Sequence, residues 1–169
     1  GVMEYASPWG RPVAKWIPAW GEEGKKEMDM KMEKLTARLG EERANRVAKR
    51  NRNVIVFPNL IISHIMSLTV RTFVPISPDY MEISIWAFAP KEEDAATREK
   101  RLANLVEFVG PGGFGTPDDI EALELCQEGY KTAKETMWND ISKGMNKEVP
   151  SFDDELQMRA FWKKWNELI

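Results

Sequence analysis

Apolar positions along the chain follow two different periods. Between Glu22 and Lys49 they recur at helical spacing, at Met28, Met32, Leu35 and Leu39, then at Ala44 and Val47, within an otherwise charged stretch interrupted at Gly40. This predicts two helices, and the charges between the apolar positions read as their solvated faces. From Asn53 the period changes to two. Asn53 to Phe57 reads as a short apolar strand, and Leu60 to Val74 as a long one ended by Pro75. The even positions Leu60, Ile62, His64, Met66, Leu68, Val70, Thr72 and Val74 make one largely apolar face, expected to look inward. Ser77-Pro78-Asp79 is a turn signal, Met81 to Ala89 the antiparallel return strand, and Pro90 its end.

Helical spacing then returns. Glu92 to Phe108 places Leu102, Leu105, Val106 and Val109 on one stripe, and a further helix is expected from near Pro117, carrying Ile120, Leu123 and Leu125 toward Gly129. In the last segment Ser151 stands as a cap with Asp154 three positions on, ahead of a stripe of Met158, Phe161, Trp162, Trp165, Leu168 and Ile169. The first 20 residues carry three prolines and three tryptophans and read as short strands and turns. Strands followed by helices, with long antiparallel pairs, define an α+β class in which helices cover one side of a curved antiparallel sheet.

Composition narrows the partners. At 169 residues, 43% of them hydrophobic, the chain suits one domain with a real core. Lysine and arginine number 24 against 27 acids, for a formal charge of -3, and no basic run exists to neutralise phosphates, so nucleic acid is not an expected partner. No stretch approaches a membrane span and no signal-peptide pattern opens the chain. Cys126 is the single cysteine; it excludes an intrachain disulfide and fits a reducing, cytoplasmic setting. On a helix with no base nearby in sequence, it reads as a small buried hydrophobe.

The candidate chemistry gathers at Phe108-Val109-Gly110-Pro111-Gly112-Gly113-Phe114-Gly115-Thr116-Pro117-Asp118-Asp119. Its end is also an ordinary helix start, with Thr116 as N-cap, Pro117 at N1 and acids facing the positive end of the dipole. The glycines imply a bend that needs positive φ or a close approach no Cβ allows. His64, the single histidine, reads either as a satisfied core residue or as a pocket wall, with Ser63 in its place if the register shifts by one. Met66 and Ser67 share that ambiguity. Arg71 reads as the cross-strand partner of an acid such as Glu82, or as an anchor for a substrate carboxylate.

The bend resembles the segment Gly-Pro-x-Gly-Phe-x-x-x-Asp-Asp of Rieske non-heme iron aromatic-ring-hydroxylating dioxygenase large subunits. Phe57-Pro58-Asn59, Arg71-Thr72-Phe73-Val74-Pro75, Glu82 to Ala87 and the closing run Asp154 to Trp165 follow in the same order as in those enzymes. Met3-Glu4-Tyr5 and Trp9-Gly10-Arg11-Pro12-Val13-Ala14 look similar to dioxygenases of substituted benzoates such as p-cumate. The resemblance implies a helix-grip sheet around a substrate cavity, with Asp119 as a ligand of mononuclear Fe(II) and Asp118 as a first-turn acid. It implies His64, Met66, Ser67, Val109, Phe114 and Gly115 as residues near the substrate. Family members carry bulky aromatics where this chain has Val109 and Gly115, which implies a roomy cavity unless Phe108 or Phe114 refills it.

A facial-triad iron needs two histidines and a carboxylate, and a Rieske [2Fe-2S] cluster two cysteines and two histidines. One His and one Cys supply neither set. The expectation is therefore a C-terminal portion, residues 1–169, of a catalytic domain whose Rieske domain and histidine pair precede Gly1. The opening Gly1-Val2-Met3, without an initiator methionine, fits that expectation. By resemblance the complete enzyme takes electrons from NAD(P)H through a reductase and a ferredoxin. It uses O2 to cis-dihydroxylate an aromatic ring, and it assembles as a trimer of α subunits, with or without a β subunit. The alternative is a non-enzymatic helix-grip domain that carries apolar ligands.

Overall fold

The computed structural model describes residues 1–6 and 13–169. The Trp9–Pro12 part of the benzoate-dioxygenase-like run lies outside the described residues. The strands β1 (Val2–Tyr5), β2 (Asn51–Val56), β3 (Leu60–His64), β4 (Leu68–Ser77) and β5 (Tyr80–Ala87) form one antiparallel sheet in sequence order. The helices are α1 (Gly21–Leu39), α2 (Glu41–Lys49), α3 (Ala95–Val109), α4 (Thr116–Tyr130) and α5 (Leu156–Asn166). The architecture is α+β, as the order of periods in the sequence predicts.

The two charged helices form a hairpin with a small core of its own. Gly40 ends α1 at φ 77°, a conformation that suits a residue without Cβ, and its N–H returns to the Thr36 carbonyl at 2.9 Å. Met28, Ala48 and Ala14 are buried together, with Trp16, Trp20, Met32 and Leu35 packed around them. Arg46, Arg50 and Arg52 converge on Glu4 and tie α2 to β1, and the Arg46 hydrogen bond holds the Glu4 carboxyl below its usual range.

The single long strand expected from Leu60 to Val74 is two strands. The chain reverses at Ile65-Met66-Ser67, whose side chains are all buried, so a turn forms with none of the Gly, Pro, Asn or Asp residues that would advertise it. Pro75 does not end β4. The strand runs on to Ser77 and absorbs the proline beside a one-residue bulge, where a missing ladder N–H does least harm.

Even positions do share a face, because each register pairs even with even: Val2, Val54, Ile62, Val70 and Trp86 stand in one row across all five strands. That face is not the buried one. Val2, Val56, Leu68, Val74 and Trp86 are exposed, whereas the buried strand residues Tyr5, Asn51, Ser63 and Thr69 are all odd-numbered. Both faces of this sheet carry β-branched residues, so alternation alone could not choose between them.

Two helix starts also differ in detail. Gly115, not Thr116, is the N-cap of α4, and no side chain caps it. Ser151 and Asp154 do pair, the Ser151 N–H donating to the Asp154 carboxylate at 2.7 Å, but in a turn ahead of α5, whose N-cap is Glu155. Asp154 is buried there against Lys147, which donates to its Oδ1 at 2.6 Å. On the far side of the sheet's turns, Phe161 and Trp165 of α5 close on Phe57, with ring centroids 5.1 and 6.4 Å apart.

Candidate active site

The glycine bend joins α3 to α4 through a tight set of backbone bonds. The N–H groups of Phe114 and Gly115 donate to the carbonyls of Glu107 and Phe108 at 3.0 and 3.1 Å, folding the bend back on the end of α3. The ring of Phe108 lies 5.2 Å from that of Phe114. None of the bend glycines has positive φ; the positive values belong to Gly21, Gly40 and Gly144. Close approach is the reason for glycine here. A Cβ on Gly113 would stand 2.7 Å from the Phe108 carbonyl oxygen, and one on Gly110 would strike the Val106 carbonyl. Gly115 has φ -106°, open to any residue, but its Cβ would fall 2.5 Å from the edge of the Phe108 ring. The room left by glycine at 115 is therefore taken by Phe108.

Asp118 and Asp119 occupy the first turn of α4, where the helix dipole favours negative charge. The Asp119 side chain is 61% exposed, and its Oδ2 is 3.8 Å from Nη1 of Arg71 on β4. At the other end of α4, the Gln127 amide reaches the Pro78 carbonyl at 3.4 Å, so the helix runs over the odd-numbered face toward the tip of the β4–β5 hairpin.

Arg71 does not pair with Glu82. Its cross-strand neighbours are Ile61 and Ile85, while Glu82 stands opposite Val74 on the other face. The bulge is responsible: without the extra residue at Ile76, odd positions of β4 would share a face with even positions of β5. Arg71 thus projects from a row of isoleucines, Ile55, Ile61 and Ile85. Its side chain is only 18% exposed, and its Nε is buried with no hydrogen-bond partner among the described residues. Burial pulls its pKa down and the Asp119 carboxylate pushes it up.

The remaining sequence candidates divide into two groups. Val109, Phe114 and Gly115 belong to the bend, and Asp119 follows it directly. His64, Met66 and Ser67 lie around the β3–β4 turn, and Ser67 is about 13 Å of extended strand from Arg71. His64 is on the even face opposite Arg52 and Leu68, whereas Ser63 shares the face of Arg71 and pairs with buried Thr69. Burial, and then the charge of Arg52, lower the His64 pKa. Cys126 is exposed, since nothing among the described residues covers that side of α4. Sequence reasoning missed the Asp119–Arg71 pairing; Pro75, inside an otherwise continuous strand, was the signal for the bulge that sets it.

Among the described residues, no three His, Cys, Asp or Glu side chains gather as a metal site, and no helix is long and apolar enough to cross a membrane. Residues 5–169 match the family described as ring hydroxylating alpha subunit (catalytic domain). The chain is 39% identical over 123 residues to the large subunit of 2-halobenzoate 1,2-dioxygenase of Burkholderia cepacia, covering 72% of this chain and 26% of that one. It is 32% identical over 125 residues to toluate 1,2-dioxygenase subunit alpha of Pseudomonas putida, covering 74% and 27%. It is 30% identical over 110 residues to the anthranilate 1,2-dioxygenase large subunit of Acinetobacter baylyi, covering 65% and 23%. The chain spans about a quarter of the length of these curated relatives. With the match running through the sheet, the glycine bend and the closing helix, the chain belongs to the catalytic-domain family of ring-hydroxylating oxygenase alpha subunits.

Proposed function

We propose that residues 1–169 are the C-terminal portion of the catalytic domain of a terminal oxygenase large subunit, and that Asp119 is its carboxylate ligand to a mononuclear Fe(II). The observation that carries this reading is the placement of Asp119. A bend with no space for side chains at Gly110 and Gly113 sets the first turn of α4 so that this acid, and not a residue of the closely packed bend, faces the sheet beside Arg71. Its carboxylate suits Fe(II), and at 3.8 Å from Arg71, beyond hydrogen-bond length, its oxygens keep lone pairs for a metal. The chain's single histidine, His64, lies on the other face, so the two histidines of a facial triad belong to the rest of the subunit.

When bound, the iron supplies O2 activation for cis-dihydroxylation of an aromatic ring, fed from NAD(P)H through a reductase and a ferredoxin by way of a Rieske [2Fe-2S] cluster. The chain's own residues fix the geometry around that chemistry. The bend holds Asp119 in place and pairs the rings of Phe108 and Phe114, and the sheet presents an isoleucine row around Arg71. The similarity to enzymes named for halobenzoate, toluate and anthranilate supports a substituted benzoate as the substrate. A cytoplasmic enzyme built on a trimer of α subunits, with or without β subunits, completes the reading. Replacement tests the ligand assignment: Asp119→Ala in the complete oxygenase is expected to abolish product formation, and Asp118→Asn to lower it only mildly. Equal loss from both would mean the two acids act as a unit.

A further inference from the structure

We infer that the outward face of α2 is a docking surface for an acidic face of the protein that delivers electrons to this oxygenase. The inference rests on the oxygenase reading above and adds to it the surface on which the electron donor lands.

Charge along the chain singles this helix out. From Arg43 to Arg52 stand five cations, Arg43, Arg46, Lys49, Arg50 and Arg52, and no acid, in a chain whose formal charge is -3. Ala44 and Ala48 turn inward and are fully buried, which leaves Arg43, Arg46 and Lys49 on the exposed side of the helix. A cation or two in a last turn is favoured by the helix dipole and needs no other reason. Here like charges also stand three and four positions apart, Arg43 with Arg46, and Arg46 with Lys49 and Arg50, which costs the helix stability.

Acids within the chain do not cancel this charge. Glu4 on β1 is one carboxylate shared by Arg46, Arg50 and Arg52, at 2.9, 2.8 and 3.4 Å, so the cluster stays positive. Glu41 and Glu42 lie in the first turn, at the other end of the helix. Arg52 is turned inward and donates to the carbonyls of Val47 and Arg50, whereas Arg46 is 67% exposed. Arg43 and Lys49 are exposed and have no hydrogen bond or ion pair among the described residues. Glu4, Ala6, Asn45, Arg46, Lys49 and Arg50 line an open groove of about 550 Å³. The Glu4 pairing orders Arg46 and Arg50 along that groove in advance, so a partner's carboxylates meet guanidiniums that have little freedom left to lose.

The character of the surface selects the partner. A positive, solvated and preordered face with no aromatic or aliphatic centre suits a protein that presents Asp and Glu side chains and binds briefly. Encounters between redox proteins are of this kind, burying less than about 1,200 Å² and relying on charge for a fast approach. An oxygenase fed by a separate protein must bind and release it in every cycle, and a charged contact permits both. A permanent neighbour would instead call for an apolar interface core.

Binding of the complete oxygenase to its own electron-donor protein, measured by calorimetry at low and high ionic strength, tests this. Arg43→Glu/Lys49→Glu reverses two charges that pair with nothing among the described residues, so the fold should be unaffected. It is expected to weaken donor binding at least about tenfold at low ionic strength, within the range of charge steering. The difference should shrink below about twofold at about 1 M salt, where charges are screened beyond roughly 3 Å. Lys49→Arg, which keeps the charge, should bind as the wild type does. Subunit number, iron content and product formed in a single turnover with a chemical reductant should all match the wild type. Unchanged donor binding in the double reversal overturns the inference. So does a changed subunit number, which would make this face a contact between copies of the chain, or a loss of single-turnover product, which would make it a support of the catalytic domain. A wild-type enzyme that binds the donor in this salt-dependent way, and loses it in the variant, yet oxidises no ring would instead defeat the oxygenase reading and leave the docking surface standing.

Discussion

The α1–α2 hairpin and the bend facing the sheet spend their residues differently. In the hairpin the buried positions are apolar and small, Ala44 and Ala48 being fully enclosed and Met28 nearly so, and charges such as Lys25 and Asp29 pair on the surface at 2.8 Å. Around Asp119 the pattern is reversed. On the sheet face that carries Arg71, polar groups are buried, at Ser63, Thr69 and the Arg71 Nε, while Asp119 itself is exposed. There the Arg71 guanidinium makes a 3.8 Å ion pair with Asp119 and keeps its Nε buried without a hydrogen-bond partner among the described residues.

Substitutions should separate the two regions. The largest effect on stability is expected from Met28→Ala, which empties the hairpin core and should cost about 2 to 5 kcal/mol. A lower urea midpoint at unchanged slope would show this, with iron content per folded subunit unaltered. A smaller cost, about 1 to 3 kcal/mol, is expected from Gly115→Ala, because the new Cβ meets the Phe108 ring and must displace it. Turnover of large and small aromatics should fall together in that variant. Adding Phe108→Leu should restore part of both losses, and a double-mutant cycle without coupling would mean that the new Cβ does not meet Phe108. Smallest is His64→Gln. Burial depresses the folded His64 pKa, so the unfolded chain holds the proton more tightly, and the stability that neutral His64 contributes above about pH 6.5 is lost as pH falls through its lowered value. His64→Gln should flatten the stability profile below about pH 6.5 and leave pH 7.5 untouched.

The regions also differ in how far the sequence discloses them. Helical spacing and Gly40 define the hairpin, because its contacts are local and its period is unbroken. The Ser77-Pro78-Asp79 turn and the bend were equally legible, each marked by residues that restrict the backbone. What escaped were long-range consequences of single local events. The β3–β4 turn buries Ile65 and Met66 and has no Gly, Pro, Asn or Asp, so β3 and β4 read as one strand. The bulge at Ile76 reverses which side chains of β4 and β5 share a face, and it moves Arg71 away from Glu82 and toward Asp119. Periodicity cannot register either event. The resemblance carried by the bend named Asp119 without any knowledge of what stands opposite.

If Asp119 holds the catalytic iron, the metal should leave with its carboxylate, and counting iron reads this without reference to turnover. Asp119→Ala in the complete oxygenase should lose the mononuclear iron and retain the Rieske absorption and EPR signals at wild-type intensity, which shows the subunit still folded. Iron at the wild-type stoichiometry in that variant would mean that Asp119 is not a ligand.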